Sequence, residues 1–405
     1  MKQQKVEYRW VMLAIGVFAM LFAGVIYAWS ILKVPFANTF GFTKENLSMN
    51  FTLTMSFFCI GGVVSSAIVR QIGTKLTIAF AGILAGLGFV LTGFLQEGRL
   101  LWLYMSYAVL SGFGIGVAYI VIISTVNAWF PDRKGLSSGA LMMGFGASTL
   151  LLGNVADALF ATKMGWRNTY ILLGVTLGVV ILFASLFIYR PEKDTPLPPP
   201  RKPKGCKAED IEIKDYAPGE MLTRFTFWRA FLCFVCITAV GSSVISFARD
   251  LALSVGAGAA LATTLVGVLA VCNGLGRILT GALFDAMGRR FTMLCANLLT
   301  IVAASITLLA VSITSLPLAV IGLCLTGMSY GTSPTMASAF VMSFYGQKHF
   351  ATNLGMMNFN LMVASFVATA CSALLTATGS YFAPFVLLLA MSFVALGLNL
   401  SIKKP

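Results

Sequence analysis

The strongest constraint on this chain is a succession of apolar runs, each about 20 residues or longer, repeated along its whole length. A run of that size crosses the hydrocarbon core of a bilayer as a helix, because the backbone finds no water there and must bond to itself. The runs lack the period-two alternation of a membrane barrel. Twelve spans fit, at roughly 10–30, 47–69, 76–95, 100–129, 136–160, 168–189, 227–252, 260–285, 291–312, 316–344, 351–377 and 380–402. The expected fold class is an all-α membrane protein of twelve transmembrane helices in two pseudo-symmetric six-helix halves. With 58% hydrophobic and 10% charged residues, the soluble, disordered and collagenous classes are excluded.

The longest polar stretch, beginning RPEKDTPLPPPRKPKG, separates the sixth span from the seventh. Its prolines and mixed charge read as a linker, with a short surface helix expected near 209–216. The organisation is then an N-terminal half over 1–189, a linker over 190–225 and a C-terminal half over 226–405. VRQIGTKL follows the second span and FDAMGRRF the eighth. Matching Gly73 to Gly288 gives an offset of 215, and matching Phe130 to Phe344 gives 214. Two halves of parallel origin follow from that offset, with a central cavity expected between them.

The formal net charge of +14 lies in short loops, so it describes topology rather than a nucleic-acid partner. With the N-terminus inside, twenty of the 28 Lys and Arg fall on inner segments, five on outer loops and three within spans. Both termini are therefore expected in the cytoplasm. Seven of the eight cysteines lie in apolar segments and read as packing residues; Cys233 and Cys236 form a CxxC without a second pair or histidines nearby. The first apolar run lacks a cleavage signature and reads as a span.

Arg277 stands inside the eighth run with Asn273 one turn before it, on the same face. A guanidinium at the centre of a span costs about 3 kcal/mol or more unless it faces a protein interior or a wet cavity. It keeps its proton and offers a planar fork matched to a carboxylate, so it suits a small organic anion. The competing reading is a structural arginine bonded to carbonyls or to a fixed acid. Tyr119 and Tyr330 fall mid-span, each with a hydroxyl to donate and a ring to form an apolar wall. Asn358 and Phe359 are candidates for the opposing wall. Asp250 is the candidate for proton coupling. Ser333 and Pro334 are expected to bend the tenth helix. HExxH, Walker A, nucleophile-elbow and metal-ligand patterns are absent from the sequence, so no enzyme activity, cofactor or metal is expected.

GALFDAMGRR resembles the signature loop that the major facilitator superfamily carries between the second and third helix of each half. That resemblance implies an inner charge cluster made by Asp285, Arg289 and Arg290, which acts as a conformational latch. The first-half copy departs from the pattern, with Arg70 where the aspartate stands. YAWSILKVPF, NAWFPDRKGLSSGALMMGFG, GEMLTRFTFW and NGLGRILTGALFDAMGRR are similar to the oxalate/formate antiporter and monocarboxylate transporter branch. The branch implies that Arg277 is the substrate-binding arginine. Its oxalate antiporters carry a further lysine on the eleventh helix, where this chain has Leu361. Its animal monocarboxylate transporters carry an aspartate where this chain has Asn273. One fixed cation suits a monoanion, since a dianion would leave an uncompensated charge at low dielectric.

The expected function is secondary active transport of a small monocarboxylate such as lactate or pyruvate, with a proton, by alternating access. The alternatives are a carboxylate antiporter of the oxalate/formate type and, in another class, a carboxylate-sensing receptor or anion channel. The expected partners are the anion, a proton and the lipid bilayer, with the chain acting as a monomer in a bacterial inner membrane.

Overall fold

The computed structural model describes residues 2–192, 195–199 and 214–403. Most of the helix expected near 209–216 lies outside these residues; Lys214 to Ala217 are non-helical, and a short helix follows at Pro218–Leu222. The described chain is helical throughout its apolar runs. Eight runs give single spanning helices: α1 (Tyr8–Ala28), α4 (Leu100–Asn127), α5 (Lys134–Phe160), α6 (Gly165–Phe187), α7 (Phe225–Ser254), α10 (Leu316–Tyr345), α11 (Phe350–Thr378) and α12 (Phe382–Ser401). The other two runs, Lys44–Gly93 and Ala259–Ser312, each hold two.

Glycine makes the reversal in each long run. Gly73 has φ 79° and Gly288 φ 76°, a region where a side chain is strained. They separate α2 (44–72) from α3 (74–93) and α8 (259–287) from α9 (289–312). The packing partners show that the chain turns back. Thr54 and Phe58 of α2 meet Gly112 and Gly116 of α4 in ascending order, whereas Ser111 Oγ donates to Ala85 O and Ser106 lies beside Thr92 on α3 in descending order. In the second half Leu269 and Asn273 meet Gly327 and Gly331 in ascending order, and Thr307 and Thr300 meet Gly322 and Ser329 in descending order. Ten continuous helical runs therefore supply the twelve spans.

Burial runs opposite to that of a soluble helix. On α6 the exposed side chains Leu172, Val175, Val179, Phe183 and Leu186 form one apolar stripe, while Thr169, Tyr170, Gly174, Gly178 and Ser185 face inward. An apolar outer face with small and hydroxylated residues at the contacts is what lipid solvation selects.

The chain divides into two compact units. Unit 1 comprises 1–201 together with 350–356, and unit 2 comprises 202–349 together with 357–405. The first turns of α11 thus belong with unit 1 and the remainder with unit 2. In unit 1 Arg9 pairs with Asp132, its Nη1 donating to Oδ1 at 2.7 Å, with the guanidinium over the Phe130 ring. In unit 2 the end of the linker docks on the loop after α10: Tyr216 N–H donates to Tyr345 O at 3.0 Å, and Asp215 Oδ1 accepts from the N–H groups of Gln347 and Lys348.

Candidate functional site

Unit 2 assembles around a close crossing of α8 and α10. Cβ atoms built on Gly276, Gly327 and Gly331 would lie 2.2 Å from Met328 O, 2.5 Å from Leu269 O and 2.2 Å from Asn273 O. Only glycine permits backbones to approach this closely, and the approach fixes where the side chains between them emerge. Gly331 also abuts the Arg277 nitrogen, so the turn carrying Asn273 and Arg277 is seated on α10 beside Tyr330. Arg277 is 3% exposed, and its Nε donates to Asn273 Oδ1 at 3.2 Å. The i, i+4 spacing thus orients the fork through a neutral amide.

Tyr330 is buried with its ring against Gly241 of α7, where a Cβ would meet ring carbons at 2.4 Å. One turn on, Ser333 Oγ lies 2.6 Å from Thr238 Oγ1 of α7, and Thr238 donates to Asn360 Oδ1 of α11 at 3.2 Å. Asn358, buried, and Phe359, half-buried, stand at a break in α11. A set of contacts therefore runs from the Arg277 backbone to Gly331 of α10, and from Ser333 of α10 through Thr238 to Asn360 of α11. Thr238 and Asn360 were not anticipated as members of it. A threonine and an asparagine inside apolar runs were the available signal, but such residues are common enough on membrane helices to pass as packing.

Tyr119 lies in unit 1, buried, with its ring 5.1 Å from Phe58 and 5.0 Å from Phe145; Tyr27 lies 5.3 Å from Phe145. These four rings make an aromatic patch in which Tyr27 and Tyr119 supply hydroxyls. Tyr27 belongs to YAWSILKVPF but was not singled out as a candidate.

The remaining candidates stand apart from Arg277. Asp250 is exposed near the end of α7 and close to Tyr381, the residue just before α12. Asp285 is half-buried. Arg289 donates to Ile402 O at 3.5 Å with its guanidinium over the Phe344 ring, and Arg290 is exposed. Among the described residues three charged side chains are buried, Arg9, Asp132 and Arg277, and the first two pair with each other. Among them, too, no group of three or more His, Cys, Asp or Glu is arranged to hold a metal.

This architecture defines a polytopic helical transporter, and the chain belongs to the Major Facilitator Superfamily, whose family model matches residues 11–369. It is 24% identical to the MFS-type transporter YhjX of Escherichia coli, covering 88% of this chain and 86% of that one. It is also 24% identical to the oxalate:formate antiporter of Oxalobacter formigenes, covering 96% and 90%. Human monocarboxylate transporter 12 is 27% identical, with 83% and 68% covered. The solved proton:xylose symporter XylE superposes with a TM-score of 0.76 at 12% identity, covering 98% and 96%, which shows the shared fold. The protein is a multi-pass secondary transporter and not an enzyme.

Proposed function

We propose that the protein carries a small monocarboxylate, of the size of lactate or pyruvate, together with a proton across a bacterial inner membrane. The observation that carries the reading is Arg277, the one buried cation among the described residues of unit 2, oriented by the neutral Asn273. A carboxylate accepts two parallel N–H bonds from such a fork, and one anionic charge neutralises it. A phenol at Tyr330 on the neighbouring helix would bond the carboxylate or an adjacent oxygen. Asn358 and Phe359 would present an amide and a ring from α11, and Tyr119 would serve the same substrate from unit 1. Residues 350–378 contain no Lys or Arg, with Leu361 in the middle, so α11 adds no second cation for a dianion.

In this reading Asp250 is the residue of α7 available to take up the proton, and Asp285, Arg289 and Arg290 set the stability of one conformational state. The excess of Lys and Arg on alternate loops supports cytoplasmic termini. The chain acts as a monomer, with the lipid bilayer as its solvent.

A second reading, anion exchange, is favoured by the similarity to the oxalate:formate antiporter over nearly the whole chain. One experiment separates the two: uptake of labelled L-lactate into proteoliposomes at zero membrane potential, with and without an inwardly directed proton gradient. Gradient-driven accumulation is the expected result. Absence of net uptake, with rapid exchange from lactate-loaded vesicles, would replace symport by exchange.

A further inference from the structure

Helix α11 is broken at Asn358 without a proline to break it. The residues run helical to Met357 and again from Phe359, with Asn358 at φ −67°, ψ −12°. The N–H of Leu361 donates to Asn358 O at 2.9 Å, three residues back. In a regular α-helix it would donate to Met357 O. Met357 O instead accepts from the side chain of Asn360, whose Nδ2 lies 2.6 Å away. A carbonyl deprived of its donor inside an apolar run is costly, so the asparagine amide is what allows the break to stand.

The same amide is tied to two other helices. Its Oδ1 can only accept, so the Thr238 hydroxyl donates to it, at 3.2 Å. Thr238 has then spent its one proton, and the 2.6 Å contact with Ser333 must have Ser333 as donor. The opposite amide orientation would set Oδ1 against the Met357 carbonyl, two acceptors face to face. The bonds therefore run in one direction, from Ser333 to Thr238 to Asn360 to the Met357 carbonyl, and all three side chains are at most 2% exposed. Ser333 precedes Pro334, which has no N–H to offer the Tyr330 carbonyl one turn back. The relay thus joins the weak point of α10, at the candidate substrate residue Tyr330, to the weak point of α11.

The break also falls where α11 changes its allegiance. Residues 350–356 belong with unit 1, where the Thr352 hydroxyl bonds Ser66 and Gly355 packs on Gly62; from residue 357 onward the helix belongs with unit 2.

We propose that the Ser333–Thr238–Asn360 relay holds a hinge in α11 at Asn358, with Asn360 as the positioning residue through which α7 and α10 set the hinge. The relay does not touch substrate. It fixes the angle between the turns of α11 before Asn358 and those after it. Breaking it slows the conformational step while the Arg277–Asn273 pair that would hold the carboxylate stays in place. The transport arm of the test rests on the monocarboxylate reading above; the exchange arm does not.

The test compares wild type, Thr238→Val, Thr238→Ser and Asn360→Ala. Amide hydrogen exchange of the purified proteins is followed without substrate over 356–363 and over α7 and α10. Thr238→Val and Asn360→Ala are expected to speed exchange around 357–361 by about tenfold, the scale of one buried hydrogen bond, with little change elsewhere. Thr238→Ser, which restores the hydroxyl, should match wild type. In labelled L-lactate uptake, Thr238→Val should lower turnover by about tenfold and raise KM by less, about threefold, since Arg277 keeps its contact while Asn358 and Phe359 loosen, and Thr238→Ser should recover both. Exchange that rises evenly across all three helices, or a serine variant behaving as the valine variant, would overturn the hinge. Equal effects on KM and turnover would do the same. Failure of wild type to move lactate would refute the substrate reading alone, and the exchange data would then decide the hinge.

Discussion

Units 1 and 2 contain the same helix crossing built from different side chains. In unit 1, Cβ atoms on Gly61, Gly112 and Gly116 would meet Phe113 O, Thr54 O and Phe58 O; in unit 2, those on Gly276, Gly327 and Gly331 would meet Met328 O, Leu269 O and Asn273 O. Each of these six pairs is related by the offset of 215 residues that also relates Gly73 to Gly288. The backbone contact is therefore common scaffolding. What differs is what the scaffold presents: Phe58 and Gly62 in unit 1 occupy the positions of Asn273 and Arg277 in unit 2. Duplicated geometry with unduplicated chemistry argues that the arginine is there for the cargo, since the crossing closes equally well around a phenylalanine and a glycine.

That comparison is most directly broken at the arginine itself. Arg277→Lys keeps the positive charge but replaces a planar fork by a point charge. If the fork grips a carboxylate, uptake of labelled lactate should fall by about a hundredfold in kcat/KM, the order of a lost charge-assisted bidentate contact. If Arg277 only packs α8, as the Gly62 position does in unit 1, the variant should transport at a near-normal rate.

A smaller effect separates the scaffold from the chemistry. Gly331→Ala and Gly116→Ala each force a Cβ onto a carbonyl, 2.2 Å from Asn273 O and 2.0 Å from Phe58 O. Both should destabilise by about 1–3 kcal/mol through overpacking, visible as lowered thermal midpoints in the same detergent. Only Gly331→Ala displaces the turn that carries Asn273 and Arg277. It should raise KM for lactate by about tenfold, as a misplaced binding group does, against a smaller rise in Gly116→Ala, which shifts Phe58 beneath Tyr119. Equal KM shifts in the two variants would show that the position of Arg277 does not set affinity.

The sequence revealed the scaffold more fully than it revealed the site. Span number and the two halves were legible because bilayer thickness is a strict rule; Gly73 and Gly288 showed in the sequence only as a repeat, and their positive φ at the reversals is seen in the fold. Arg277 stood out because a guanidinium in an apolar run is costly unless it faces a protein interior or a wet cavity. The break in α11 was not, because it depends on an asparagine reaching back to Met357 and outward to Thr238, and no local pattern announces a contact across 122 residues. The aromatic patch of Tyr27, Phe58, Tyr119 and Phe145 was likewise hidden, since rings on four helices read singly as ordinary core. Arg9 was counted only among the inner-segment charges, and the folded chain shows it buried together with Asp132.

The smallest expected effects concern how each unit fastens the loop after its fourth helix. Both use an acid, placed differently. In unit 1 the acid is in the loop: Asp132 receives Arg9 from the first turn of α1. In unit 2 the acid comes from the segment ahead of α7: Asp215 reaches the loop and accepts two of its N–H groups, beside Gly346 at φ 81°. Asp132 is buried and faces a charge, so Asp132→Asn leaves Arg9 without its counter-charge and should cost about 2 kcal/mol. Asp215 is exposed and bonds neutral amides, so Asp215→Asn should cost at most about 1 kcal/mol. Raising salt should weaken the unit 2 contact more, because screening acts on the exposed carboxylate and largely spares the buried pair. Thermal unfolding of the two variants at low and high salt checks both the order and the sign. A larger loss for Asp215→Asn would mean that the docked linker, rather than the buried ion pair, is the stronger of the two fastenings.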